Sequence, residues 1–191
     1  MMVRLLISTL IIAAVILTVG CGKNSETSRR SDNEKISVKE SEKMNSQAVE
    51  DGEKKEKAVI RQVIEDSIGW ALKKDKDLLF SLMLQDSSFF IYHPTNSSTI
   101  TGFEAFRNLA ENVFMNDAFK ATGYEVKELR INISTGGDVA WWSCMLDDFG
   151  EWNGESTSWI NARWTGVMEK RDGKWLIAQM HFSFGTDAEK E

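Results

Sequence analysis

The residues able to do chemistry are few, and most lie near the end of the chain. Only two histidines occur, His93 and His181. The run Trp175-Leu-Ile-Ala-Gln-Met-His-Phe-Ser183 reads as a strand. Alternate residues of a strand share a face, which groups Trp175, Ile177, Gln179, His181 and Ser183. An apolar face with a polar, ionisable end suggests a strand that enters a cavity. His181 titrates in the range useful for acid–base work and is the candidate catalytic residue. The plainer reading is a histidine that hydrogen-bonds core groups and shapes the pocket. Ser183 lies two residues on, about 7 Å along the strand, too far for an assured hydrogen bond to His181. No Gly-x-Ser-x-Gly turn is present, so Ser183 reads as a polar wall residue.

Arg163 precedes this strand and alternates with Asn161 and Thr165. Inside a cavity it would recognise a carboxylate or similar group; on the rim it would pair with Asp147 or Glu151. Both readings stay open. Asp147 and Asp148 are adjacent, so at most one of them faces inward. Tyr92 ends a short strand before His93-Pro94 and is placed to donate to developing negative charge. Of the pair Trp141-Trp142, one must face in and the other out, and Trp142 is taken as the inward one. The ligand-binding set expected from these patterns is Tyr92, Trp142, Arg163, His181 and Ser183. Two histidines far apart, with no carboxylate at ligand spacing, do not make a zinc site, and no glycine-rich phosphate loop occurs. No metal and no cofactor are expected.

Positioning these residues requires a small set of elements. Val59, Ile60, Val63, Ile64, Ile68, Ala71 and Leu72 recur at helical spacing and predict one helix over 54–73. Asp75 can cap a short second helix with Leu78, Leu79, Leu82 and Met83 on its apolar side. Ser88 to Tyr92 is a short strand, stopped by the single proline, Pro94. Thr101-Gly-Phe-Glu104 reads as a capping box that opens a third helix. Strands are then expected over 122–134, 139–146, 157–170 and 174–184, with turns at Gly136-Gly137, Asn153-Gly154 and Asp172-Gly173. Helices followed by an antiparallel meander give an α+β layout: a curved sheet wrapped around N-terminal helices, with a pocket between the layers.

The first 20 residues read as a secretory signal, with Arg4 as the positive end and an apolar run from Leu5 to Val19. That run is short for a membrane span, which needs about 20 residues. Leu17-Thr-Val-Gly-Cys21 resembles the bacterial lipobox, which implies cleavage before Cys21 and lipidation of that residue. The alternatives are an uncleaved anchor or a plain export signal. Residues 21–55 are polar, with eight basic and eight acidic side chains between Gly22 and Lys55. Such a segment cannot bury enough apolar surface to fold by itself, so it is expected to be a flexible tether with a reach of about 30–35 Å. If Cys21 is lipidated, Cys144 stands alone and reads as a small buried hydrophobe.

Residues 56–186 make one ordinary domain, followed by a short tail over 187–191. From Glu56 to the end there are 21 acidic and 14 basic residues, a net of −7. Nucleic acid is an unsuitable partner for that surface.

The element order, with Arg163-Trp-Thr-Gly-Val, Asp172-Gly-Lys-Trp175 and Gln179-Met-His-Phe-Ser183, resembles the SnoaL-like branch of the nuclear transport factor 2-like superfamily. Gly102-Phe103 and Asp86 before Phe89-Phe90 support the resemblance, which covers about 56–184. It implies a cone with a deep central cavity. It also implies several functions, since similar proteins include isomerases, dehydratases, cyclases, epoxide hydrolases and association domains. The tyrosine that ketosteroid isomerases carry on the first helix has no counterpart here, and Trp70 is the only large aromatic of that segment.

The expected function is therefore that of an exported, membrane-anchored lipoprotein whose partly apolar cavity binds a small molecule. A cofactor-independent enzyme of isomerase, dehydratase or hydrolase type, and a module that associates as a homodimer, are the alternatives.

Overall fold

The computed structural model describes residues 26–185. The signal segment, Cys21 and the tail over 187–191 lie outside the described residues. The chain divides into two units, Met1–Gln47 and Ala48–Glu191. What is described of the first is helix. Helix α1 runs from Glu26 to Gly69, 44 residues, and so begins well before Lys54. From Glu26 onward, the expected flexible tether over 21–55 gives way to helix. Low apolar content argues against a packed core, but not against a helix. Lys, Glu and Gln have good helix propensity, and a helix already nucleated adds residues at little cost. The Glu53–Lys57 pair, 2.7 Å apart one turn on, illustrates the exposed side-chain pairing that supports such a segment.

In the second unit α1 ends at Gly69 and continues as a 3-10 turn, Trp70–Leu72. Helix α2 is Lys76–Ser81, and Asp75 caps it by accepting from the Leu78 amide at 2.9 Å. Strand β1 is Phe90–Tyr92 and β2 is Ile100–Thr101. Helix α3, Phe103–Leu109, starts behind Gly102, whose φ of 82° suits glycine. Thr101 does not cap it, because that residue is held in β2 opposite Phe90. A π turn, Ala110–Phe114, follows. The meander is β3 (Phe119–Ile133), β4 (Val139–Trp152), β5 (Glu155–Ser156), β6 (Trp159–Arg171) and β7 (Lys174–Ser183).

The sheet order is β2-β1-β7-β6-β4-β3, with β5 paired to β4. All pairs are antiparallel except β1 with β7. Both short hairpin turns adopt the left-handed conformation their residues favour, Asn153-Gly154 at φ 53° and 89° and Asp172-Gly173 at 49° and 77°. The result is a curved sheet closing on helices, the expected α+β cone.

Bulges bend the sheet and decide which side chains face in. Along β7 the pairing steps from Ile177 opposite Met168 to Gln179 opposite Val167, which makes Ala178 an extra residue. Trp175 and Ile177 face in before it, and Met180 and Phe182 face in after it. Along β6 a second extra residue falls between Trp159 and Ala162. There Asn161 takes φ 54° and donates its amide to Asp147 Oδ1 at 2.7 Å. Lys127 Nζ joins the cluster, 2.8 Å from Asp147 and 2.6 Å from the Asn161 side chain. The Lys127 hydrogen bond, then the Asn161 amide, hold the Asp147 carboxyl below its usual range.

The core centres on Trp142 and Trp164, whose rings meet edge to face with centroids 5.7 Å apart. Neither buried indole N–H has an oxygen or nitrogen partner. Gly166 leaves the space for the Trp142 ring. Cys144 is buried beside them, 3.6 Å from the Trp164 carbonyl, and burial pushes its thiol up to about 12. The helical layer is tied to the sheet by Glu56, which accepts from Trp175 Nε1 at 2.7 Å and from Lys170 Nζ at 2.8 Å.

Candidate functional site

Between the helices and the inner face of the sheet lies a cavity of about 530 Å³. This is ample for a drug-sized molecule. Its apolar walls come from every layer. The end of α1 and the turn after it supply Ile68, Trp70 and Ala71; α2 and α3 supply Leu79, Phe106 and Leu109. Phe114 and Phe119 come from the crossing into β3, and Trp152, Trp159, Met180 and Phe182 from β4, β6 and β7. The aromatics form two groups. Phe114 lies 6.2 Å from Trp70 and 5.3 Å from Phe119, while Trp159 lies 5.6 Å from Phe182 and 6.2 Å from His93.

Against these walls stand six polar side chains: Ser67, His93, Ser97, Ser98, Asp148 and Thr157. Asp148 is the principal one. Strict alternation along β4 turns it inward while Asp147 points out to Lys127. Burial pushes its carboxyl up to about 6, and no hydrogen bond or charge from the described residues offsets it. His93 lies flat on Phe182, with ring centroids 5.6 Å apart. Its Nδ1 sits 2.7 Å from the Ser98 carbonyl oxygen, which can only accept, so Nδ1 carries the hydrogen. Burial holds the ring below its usual value and therefore neutral, leaving Nε2 as an acceptor. Ser67 donates to the Ile64 carbonyl at 2.8 Å and Ser98 to the Thr95 carbonyl at 2.8 Å.

None of the five residues expected to bind the ligand lines this cavity. The alternation that grouped His181 and Ser183 with Trp175 and Ile177 breaks at Ala178, and the bulge turns both polar residues away from the core side. His181 is exposed, and Ser183 is half-buried. Tyr92 is 50 % exposed and meets His181 on the outer face, their ring centroids 5.8 Å apart. Arg163 is exposed on the same side of β6, directly opposite Ser183 on β7. Trp142 does face in while Trp141 faces out, but Trp142 is consumed by the core rather than by the cavity wall. The sequence offered His93 as the residue before Pro94 and Asp148 as one of a pair. What was missing was the phase of the bulges. Among the described residues no three His, Cys, Asp or Glu side chains converge as a metal site requires. No described helix is long and apolar enough to cross a membrane.

Comparison with known proteins agrees with this architecture. The association domain of CaMKII from C. elegans superposes with a TM-score of 0.54 at 22% identity, covering 70% of this chain and 99% of that one. A nuclear transport factor 2-like protein from Cytophaga hutchinsonii gives 0.53 at 16% identity, covering 66% and 96%. A proposed dehydratase of the same fold family from Streptomyces avermitilis gives 0.55 at 14% identity, covering 66% and 93%. At such identities the likeness is one of fold. No curated protein matches the sequence. The profile of the SnoaL-like domain matches residues 60–187, two thirds of the chain, and the protein belongs to that family.

Proposed function

We propose that this protein binds a small, partly apolar molecule in the cone cavity and is held at the cell envelope by a lipid on Cys21. The observation that carries the binding reading is the cavity itself. Some 530 Å³ of space is walled by aromatic and aliphatic side chains and carries few polar groups, among them a carboxylate with no partner of its own. A cavity kept only for structure would be closed by packing, since empty volume weakens a fold. The lipid reading rests on Leu17-Thr-Val-Gly-Cys21 alone. One acyl chain gives marginal attachment, whereas the several chains of a bacterial lipoprotein give a stable one.

A second reading is favoured by Asp148. A carboxyl poised near pH 6 in a mostly apolar pocket can take or give a proton at neutral pH, as a cofactor-independent isomerase or dehydratase requires. Self-association is a third, supported by the likeness to an association domain and by exposed Trp141, Ile160 and Tyr92 on or beside the outer sheet face.

Native mass spectrometry of the full chain in detergent, before and after denaturing extraction, separates these. A co-purifying molecule of a few hundred daltons supports the binding reading. A folded protein that arrives empty, and stays empty when offered apolar probes, refutes it. The same spectrum reads the oligomer, and a Cys21→Ser variant that keeps the acyl mass would refute the anchor.

A further inference from the structure

The charges around the cavity are one-sided. Among the described residues no Lys or Arg lines it, and Asp148 is the only carboxylate that does. The neutral His93 ring turns an acceptor nitrogen outward from its bond to Ser98. Ser67 spends its hydrogen on a backbone carbonyl and so presents lone pairs; Ser98 does the same, and its oxygen accepts from the Thr95 hydroxyl at 2.6 Å, which leaves it one lone pair. Arg163, the cation that would have received an anionic ligand, stands on the opposite face of the sheet. An anion entering this space would lose its hydration and meet Asp148 with no compensating positive charge, which is strongly unfavourable.

A cation is treated in the opposite way. Among the described residues none hydrogen-bonds to Asp148, and burial makes its charged form costly. A ligand ammonium would supply both the missing donors and the missing charge. The surrounding rings would add to this. Trp159 lies directly across the β4–β6 pair from Asp148, while Trp152 stands four residues further along β4, roughly 13 Å away, opposite Phe119. Indole faces carry the negative potential that attracts a cation.

Resting on the reading of the cavity as a binding site, we infer that its ligand class is a protonated amine carried on an apolar, ring-bearing body, with Asp148 as counter-ion and Trp159 beside the ammonium. The second group of rings, Trp70, Phe114 and Phe119, with Trp152 opposite Phe119, receives the apolar part. The acceptors on His93 and the serines take any further donor hydrogens. The match is one of charge and shape and requires no covalent step.

The test compares three probes of one size that differ in charge: 1-naphthylmethylamine, 1-naphthalenemethanol and 1-naphthoic acid. Each is titrated calorimetrically into the full chain in detergent at pH 7.5. The amine should bind at least tenfold more tightly than the alcohol, and the acid should not bind measurably. Asp148→Asn, which removes a buried charge and keeps the shape, should bring amine and alcohol to within about threefold. If the alcohol binds as well as the amine, or the acid binds best, the amine assignment is overturned while the cavity remains a binding site. If Asp148→Asn keeps the full preference for the amine, the counter-ion is another group and the assignment of Asp148 is overturned. If none of the three binds the wild-type chain, the reading of the cavity as a binding site falls with it. The wild-type comparison decides the charge preference without any variant.

Discussion

Replacing Asp148 with asparagine should stabilise the fold at neutral pH and do nothing of the kind in acid. The carboxyl stands at about 6 in the folded protein against an ordinary 3.8, and burial is the cause. A raised carboxyl value means that the folded state holds its proton more tightly than the unfolded chain. Its contribution is therefore fully present below 3.8, and stability declines as pH rises through about 6. Each pH unit is worth about 1.4 kcal/mol, so the full loss is about 3 kcal/mol. Asparagine has the same shape and no charge to bury, so it escapes that loss. Urea unfolding of both proteins at pH 4 and pH 7.5 isolates the effect, because every other titrating group is common to the pair. The gain from Asp148→Asn should grow by about 2–3 kcal/mol between the two pH values. A difference that stays flat with pH, or reverses, would mean that Asp148 is solvated or paired, and the electrostatics assigned to the cavity would be wrong.

Glu56 should behave in the opposite sense. Its hydrogen bonds from Lys170 and Trp175 hold it below 4.5, so its contribution is present at neutral pH and is lost as pH falls below that value. Glu56→Gln should cost about 1 kcal/mol at pH 7, and the cost should shrink in acid when read by the same urea curves. Gly166→Ala would put a methyl group 2.1 Å from the Trp142 ring and 2.5 Å from the Gln179 carbonyl oxygen. A loss of at least about 3 kcal/mol, or no folded protein, is expected, and an unchanged melting temperature would contradict the packing described. Cys144, with its thiol pushed up to about 12, should resist a thiol reagent at pH 7.5 until the protein unfolds. Counting labelled thiols by mass also reads Cys21, which a lipid would block.

The fold was legible because its signals are local and mutually consistent. The 3.6 period of Ile60, Ile64 and Ile68, the Asp75 cap and the Asp172-Gly173 turn each specify one arrangement wherever they occur. The site was legible only in part, because strand alternation transmits errors. Between turns it places side chains correctly, and it put Asp147 and Asp148 on opposite faces as it put Trp141 and Trp142. A single extra residue at Ala178 reverses everything beyond it, which carried His181 and Ser183 to the outside. No residue type marks that bulge, since alanine is ordinary in a strand. The extent of α1 was missed for a different reason. Composition reports whether a segment can bury itself, and an exposed helix of charged residues has no need to.

The claim that the cone interior, and not the outer sheet face, takes the ligand is tested most directly by nuclear magnetic resonance. The seven tryptophans give separable indole N–H signals. With 1-naphthalenemethanol added to the full chain in detergent, the signals of Trp70, Trp152 and Trp159 should shift together in a saturable manner, while that of Trp141 stays in place. Shifts confined to Trp141, or to the outer-face residues Tyr92, Arg163 and His181, would place binding on the outer face and contradict the assignment.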